Sequence, residues 1–302
     1  MEIPPYPASR PLKMADKPLL DRLFTELQPR ISELTFAGLY LFRKAHEYQL
    51  TTAASSVIVL GTGYDGLKYF LPPLGGNIQD ALNIMFANGQ SMYGADEPFL
   101  DHFLTNEPID LKNLRDSSDY LYLREDLAKL PGSRFHKKKN RINYFTTRHD
   151  FTVEIYSTTG HHSDCLRLLD NWLLNSREEA TRSLLMEVQA TSEALNNAEE
   201  LGLVGVVVIM NDHVAAFSLG ERLNRDTAVC HFEKADPFTE GLYQLVNREF
   251  AHLLFQECIY VNREQDLGEM GLRSAKLSYH PVELINKYLV KRPDNKDFVA
   301  LL

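Results

Sequence analysis

Cysteine is scarce in this chain. Its three thiols, Cys165, Cys230 and Cys258, are scattered over 302 residues. An odd, unpatterned set, two of it inside apolar runs, excludes a disulfide framework and reads as reduced core thiols. Long hydrophobic runs are also missing. None approaches the roughly 20 residues of a membrane-spanning helix, and MEIPPYPASRPLK places prolines where a signal peptide needs an apolar core. The expectation is a cytoplasmic chain. Ten histidines form no metal signature: His161 and His162 are adjacent, so a helix would not put them on one face, and no HExxH occurs. No metal is expected. Basic charge falls short of acidic, with 32 Lys and Arg against 41 Asp and Glu and a net charge of −9. That argues against nonspecific coating of nucleic acid but leaves room for a local basic patch.

What is present is enough apolar residue, 44% of the chain, for one large core or two ordinary ones. The most informative stretch runs from Leu203 to Pro281. LVGVVVIM reads as a buried strand. Asn211-Asp212 turns it into a second strand over His213 to Glu221. AVCHFEKA, closed by Asp236-Pro237, is a third. A helix follows, with Leu242, Leu245, Val246, Phe250, Leu253 and Leu254 at helical spacing and Thr239 as the expected N-cap, and then the strand CIYVN. Strand, helix and strand in that order form a crossover unit, so the third and fourth strands should be parallel. Ligands gather beyond the carboxyl ends of such strands, where the helix N-terminus points. Those ends carry Glu233-Lys234 and Asn262-Arg263-Glu264, and the loop REQDLGEMGLRSAKLSYHP lies just beyond.

Upstream, a helix is expected over Lys17 to Leu27, a strand within Glu33 to Arg43 and a strand at SVIVL. Gly61, Gly63 and Gly66 match GxGxxG, but Pro72-Pro73 would end a following helix after about two turns. No strand with an acidic end follows at the spacing that ribose binding wants. A glycine-rich hairpin explains these residues better. A short helix over Ile78 to Ala87 and a strand near Gln90 to Tyr93 complete an order that repeats from Val206, which suggests two similar lobes. Asp119 to Leu123 is an expected strand and Arg124 to Leu130 a short helix. From Ser133 a further helix carries Arg134, Lys137, Lys138, Lys139, Arg141 and Arg148 with no acid between Asp126 and Asp150. Phe135, Ile142 and Phe145 would anchor it, leaving its basic face either to solvent or to a phosphate-bearing ligand. Downstream, a strand over Phe151 to Thr158, a helix over Asp164 to Leu174 and another from Glu178 to Asn197 lead into the second lobe.

Three segments carry a resemblance: HFEKADPFTEGLYQLVNREFA, YVNREQDLGEMGLRSAKLSYHP and YLREDLAKLPGSRFHKKKNRINYF. Over roughly Leu23 to Tyr288 the chain resembles soluble bacterial relatives of the phosphatidylglycerol lysyltransferase C-terminal domain. That resemblance implies an α/β (α+β) fold of two acyl-CoA N-acyltransferase-like lobes, each a mixed sheet flanked by helices. The boundaries expected are an arm over 1–22, a first lobe over 23–130, a basic connecting helix over 131–150, a second lobe over 151–290 and a tail over 291–302. It also implies two parallel strands, Ala228 to Lys234 and Ile259 to Asn262, that part to admit an acyl donor. The donor is aminoacyl-tRNA in the lysyltransferases and acyl-coenzyme A in most acetyltransferases, a substrate and not a tightly bound cofactor. ADPFTEGL, with Gly241 alone, departs from the basic-x-x-Gly-x-Gly/Ala loop that usually holds coenzyme A. The acceptor would be an amine or hydroxyl on a small molecule or lipid headgroup. The lysyltransferases' membrane-spanning part has no counterpart in these residues, so a lipid is not required.

Direct acyl transfer needs a proton acceptor, a positioned carbonyl and a donor to the developing oxyanion. The residues expected to supply these are Glu233 as base, with Asp266 or Glu264 as runner-up, and Tyr279 as a hydrogen-bond or proton donor. Arg263, Arg273 and Lys276, with Lys234 and Asn262 beside them, would bind donor or substrate. Lys137, Lys138 and Arg141 would meet carrier phosphates, including those of tRNA. The competing reading is a noncatalytic protein that keeps the double lobe and binds a small anion, with Glu233, Lys234, Arg263 and Glu264 merely tying two strands together.

Overall fold

The computed structural model describes residues 2–175 and 181–293. The expected helix start at Glu178 and the tail beyond residue 293 lie outside them. In chain order the elements begin β1 (Arg10–Pro11), α1 (Lys17–Leu27), α2 (Phe36–Phe42), β2 (Gln49–Ala53), β3 (Ser56–Thr62), β4 (Lys68–Phe70), α3 (Ile78–Ala87), β5 (Met92–Ala95), α4 (Glu97–Phe103) and β6 (Asp110–Asn113). They continue with β7 (Asp119–Leu123), α5 (Arg124–Lys129), α6 (His136–Thr146), β8 (Thr152–Ile155), α7 (Thr158–Leu174), α8 (Arg182–Asn196) and α9 (Ala198–Leu201). The last are β9 (Val204–Met210), β10 (His213–Arg222), β11 (Thr227–Ala235), α10 (Leu242–Leu253), β12 (Tyr260–Asn262), α11 (Met270–Leu277), β13 (Glu283–Ile285) and β14 (Tyr288–Lys291).

Two seven-stranded sheets result, ordered β1-β2-β3-β4-β5-β14-β6 and β13-β7-β12-β11-β10-β9-β8. Read from β1 and from β8, the two orders have the same pattern. In each, the fourth and fifth strands are a parallel pair (β4 with β5, β11 with β12) and their neighbours antiparallel. The repeat is therefore real but sits one strand away from the expected alignment: β3 corresponds to β10, not to β9. The sixth place in each sheet is filled out of sequence, by β14 in one and β7 in the other. For that reason the units divide as Met1–Asp119, Gln265–Gly268 and Ile285–Leu302 against Tyr120–Glu264 and Glu269–Leu284. That differs from breaks at 130 and 290, because short edge-to-centre strands carry no sequence mark of the sheet they join.

Local chemistry accounts for most elements. Asn211 and Asp212 both take positive φ, 51° and 62°, which a two-residue hairpin turn requires and these residues tolerate. Gly63 donates to the Leu67 carbonyl at 2.8 Å and Gly66 has φ 81°, closing the β3–β4 hairpin. The GxGxxG glycines are thus a turn. The strand expected within Glu33 to Arg43 is instead α2, because Thr35 Oγ1 accepts from Gly38 N at 3.0 Å and starts a helix there. Thr239 is not the cap of α10; the N-cap is Gly241, with φ 91° and no side-chain bond.

In the first unit Ile58, Phe70, Leu82, Met85, Phe86, Met92 and Val290 share one apolar cluster. A buried ionic group holds the approach to β14. Lys287, 0% exposed, donates to Asp119 Oδ1 at 2.7 Å and to Glu33 Oε2 at 2.5 Å. Asp119 also accepts from Ser32 N and Oγ. Burial opposes charge on Lys287, but the two carboxylates outweigh it and raise its pKa; burial pushes the Glu33 carboxyl up.

In the second unit His231 ties three strands. It lies at a register shift between β10 and β11, where the extra residue of a bulge re-aims a side chain. Its two ring nitrogens meet Glu221 at 2.9 Å and Glu264, just past β12, at 2.7 Å. Burial lowers its pKa, but the two carboxylates win and raise it to about 10.

Both ties can be tested by unfolding. Lys287→Met leaves the buried Asp119 carboxylate facing the half-buried one of Glu33, and should cost about 3–5 kcal/mol in urea unfolding followed by circular dichroism. A loss below about 1 kcal/mol would mean that the group does not hold β14. For His231, whose folded pKa is raised, the stabilisation is complete below its unfolded value near 6.5 and fades as pH climbs to about 10. The stability gap between wild type and His231→Gln should therefore be widest near pH 6 and shrink towards pH 10.

Candidate active site

β11 and β12 run parallel for only three residue pairs, Thr227↔Tyr260, Ala228↔Val261 and Val229↔Asn262. Beyond them β11 continues to Ala235, while the chain after Asn262 turns to β7. Arg263 N donates to the Tyr120 carbonyl at 3.0 Å and Tyr120 N to that of Glu264 at 3.2 Å. Glu264 has φ 56°, and its N–H is taken by Asn262 Oδ1 at 2.8 Å. The two strands are thus parallel, as the crossover argument requires, and they start paired and end apart, as the resemblance implies.

Glu233 and Arg263 stand where they part. Arg263 Nη2 lies 3.1 Å and 3.3 Å from the two Glu233 oxygens, and Asn247 Nδ2 of α10 donates to Glu233 Oε2 at 3.1 Å. The guanidinium lies 5.0 Å from the Tyr279 ring centre and 5.7 Å from that of Tyr122, a setting that suits a planar, weakly hydrated cation. Lys138 Nζ sits 4.0 Å over the same Tyr279 ring. Lys276 donates to the Arg263 carbonyl and is buried. Burial, then the charge of Arg263, lowers both lysines to about 8. Burial pushes the Tyr279 hydroxyl up, which suits a hydrogen-bond donor better than a proton source.

Among the described residues, three buried side-chain atoms here lack a hydrogen-bond partner: Arg263 Nη1, Asn247 Oδ1 and Ser218 Oγ. Asn247 and Arg263 both touch Glu233, and Ser218 is its direct cross-strand partner in β10. Buried polar groups are nearly always satisfied, so three exceptions around one carboxylate call for a cause. Sequence reasoning passed over Asn247, Ser218 and Tyr122. Only Asn247 left a trace, a polar residue four after Tyr243 and three before Phe250 on an otherwise apolar helical face.

The other expected residues divide. Lys234 is not beside Glu233. Adjacent strand residues face opposite ways, and Lys234 is buried on the other face, 2.6 Å from Glu187 Oε1 and 3.6 Å from the Trp172 ring centre. Asn262 and Glu264 serve the turn and the His231 tie. Asp266 falls in the first unit, buried against Arg115 at 3.2 Å and accepting from Gly268 N. Arg273 is half-buried on α11, three residues before Lys276, and Lys137 is exposed on α6. Burial raises all three cysteine thiols, which leaves them poor nucleophiles.

A cavity of about 340 Å³ opens at the start of α10, lined by Arg141, Phe238, Thr239, Gly241, Tyr243 and Gln244 among others. Gly241 is required there. Besides its positive φ, a Cβ would lie 2.1 Å from the Arg141 carbonyl oxygen, so α6 and the start of α10 meet backbone to backbone. No side chain caps the helix and Leu242 N donates to the Thr239 carbonyl at 3.4 Å, while Gly241, Tyr243 and Gln244 of its first turn line the cavity with the Arg141 cation, an arrangement that favours anions. Among the described residues, no helix is long and apolar enough to cross a membrane.

Comparison with known proteins agrees with this fold. A structure of a conserved protein of unknown function from Bacteroides thetaiotaomicron superposes with a TM-score of 0.85 at 30% identity, covering 93% of this chain and 98% of that one. The structure of L-PGS from Bacillus licheniformis matches in fold with a TM-score of 0.62 at 14% identity, covering 97% and 95%. A tandem GNAT protein from the clavulanic acid biosynthesis pathway matches with a TM-score of 0.50 at 10% identity, covering 94% and 97%. These likenesses support two acyltransferase-like lobes. The family model described as phosphatidylglycerol lysyltransferase, C-terminal, matches residues 24–291, and the chain belongs to that family of aminoacyl- and acyltransferase-like proteins.

Proposed function

We propose that this protein moves an acyl or aminoacyl group from a phosphate-bearing carrier to an amine or hydroxyl, at the parted ends of β11 and β12. The observation that carries the reading is Arg263 Nη1. It is a buried guanidinium donor without a partner, next to the one carboxylate, Glu233, that its other nitrogen already holds. A donor held ready in a buried site is what a developing oxyanion needs.

Each residue has a role in that transfer. Carrier phosphate occupies the cavity at the start of α10, against its first-turn N–H groups and Arg141. Lys137 and Lys138 on α6 extend the basic face, which serves tRNA phosphates or those of coenzyme A. The acyl carbonyl enters between the strands and accepts from Arg263 Nη1. As the acceptor nitrogen or oxygen attacks the carbonyl carbon, its proton passes to Glu233. The carbon–oxygen or carbon–sulfur bond to the carrier then breaks, and the departing atom takes a proton from Lys138, whose pKa of about 8 suits an acid near neutral pH. The products are the acylated acceptor and the free carrier. Lys138 and Arg263 both lie against the Tyr279 ring, 4.0 Å and 5.0 Å from its centre, and the Arg263 charge helps to lower the Lys138 pKa.

The test is calorimetry at low salt with coenzyme A and with aminoacyl-tRNA, in wild type and in Arg141→Ala and Arg263→Ala. One carrier should bind wild type. Arg141→Ala should weaken it by about tenfold, the scale of one charge-assisted hydrogen bond. Arg263→Ala should abolish transfer while leaving carrier affinity within a few fold. If neither carrier binds, the reading fails. A small anion that binds with no transfer from either carrier would favour the noncatalytic alternative. Independently, replacing Lys137, Lys138 and Lys139 together by glutamine should flatten the salt dependence of tRNA binding. On a log–log plot the slope should fall by about 0.7 for each phosphate those lysines neutralise. An unchanged slope assigns that face to solvent.

A further inference from the structure

Phe238 is 75% exposed, and its position is enforced. The Asp236 carboxylate accepts from Phe238 N at 3.1 Å and from Thr239 Oγ1 at 2.6 Å, and Asp236 N donates to the Ala215 carbonyl at 2.9 Å. A large apolar ring thus stands at solvent on a braced turn rather than folded back onto the core. The ring also lines the cavity at the start of α10, together with Arg141, Glu240 and Gln244. A phosphate alone has no use for such a ring. A flat base linked to a phosphate does, because stacking needs a rigid aromatic face close to a cation.

We infer that Phe238 is the stacking platform for an adenine ring, so that the cavity binds the adenosine-phosphate end of the carrier and not phosphate alone. The inference rests on the carrier reading proposed above and adds a base subsite to it. Arg141 takes the phosphate, Phe238 the face of the base, and Glu240 offers an acceptor to the exocyclic amino group at its edge. Both possible carriers present this chemistry, coenzyme A through its adenosine bisphosphate and tRNA through its terminal adenosine.

The experiment compares the full chain with Phe238→Ala and Phe238→Trp, titrated at low salt with adenosine 3′,5′-bisphosphate, the trinucleotide CCA carrying a 5′-phosphate, and ribose 5-phosphate. A stacked base is worth about 5- to 150-fold in affinity. At least one adenosine ligand should therefore bind that much tighter than ribose 5-phosphate. Phe238→Ala should erase the difference, and Phe238→Trp should keep it and show quenching of the new indole. A preference for the bisphosphate points to coenzyme A as the source, and one for CCA points to tRNA. If ribose 5-phosphate binds and the adenine adds nothing, or if Phe238→Ala changes nothing, the stacking inference is overturned while the carrier reading stands. If no phosphate ligand binds wild type, both fall. Because Phe238 is exposed, the variants should keep the wild-type circular dichroism spectrum, which separates a binding defect from misfolding.

Discussion

Everything proposed for this chain depends on a parallel pair that is allowed to hydrogen-bond at its start and forced apart at its end. Parallel strands left to themselves would continue their evenly spaced ladder. Here β12 stops after Asn262 because its continuation is taken elsewhere: Arg263 and Glu264 bond to Tyr120, and Glu264 adopts a left-handed backbone. A non-glycine residue holds that conformation only when its surroundings insist. Asn262 Oδ1 on the Glu264 N–H and His231 on the Glu264 carboxylate supply the insistence. The ends of β11 and β12 part because a turn, a bulge and a buried imidazole agree on where Glu264 must be.

That arrangement decides how the charges should be read. A salt bridge between Glu233 and Arg263 is by itself weak evidence of function, since such pairs often join neighbouring strands. The surroundings tilt the balance. A structural pair should leave its polar atoms satisfied, whereas Arg263 Nη1, Asn247 Oδ1 and Ser218 Oγ are not. The neighbours Lys138 and Lys276 also carry lowered pKa values, burial first and Arg263 second among the causes. Charges arranged only for stability would not be gathered so that each makes the next less favourable. A site awaiting an anionic or developing negative group would be.

Much of this could be read from the residues because the strongest signals were local. Asn211-Asp212, the closing Asp236-Pro237 and the helical spacing from Leu242 located β9, β10, β11 and α10 nearly to the residue, and the crossover rule then made β11 and β12 parallel. What stayed hidden was non-local or depended on facing. Glu233 and Lys234 look like one charged pair in a line of text, yet alternation sends Lys234 to Trp172 and Glu187. Asp266 reads as part of the same polar loop as Arg263, but three residues of turning chain carry it into another unit. β14 is four residues long, and nothing in YLVK states that its partners are β5 and β6. The strand expected across Glu33 to Arg43 failed on one hydroxyl, since Thr35 caps a helix that apolar content alone would not favour over a strand.

The first unit offers an internal control for the site. Its parallel pair is shorter still, with Phe70↔Met92 the one registered pair between β4 and β5. What faces Gly94 at that point is apolar: a Cβ there would meet Ile31 Cδ1 at 3.3 Å and Leu71 Cδ2 at 3.8 Å, and Ile31 and Leu71 are buried. The charges of that unit, Glu33, Asp119 and Lys287, are locked in mutual hydrogen bonds. The same strand order therefore carries two chemistries. Where the neighbouring side chains are branched aliphatics they contribute a core, and where Arg263 and Glu233 stand at the strand ends they supply the charged groups on which the proposed transfer rests. Topology repeats the strand pair, but the residues beside it decide which of the two units carries the proposed site.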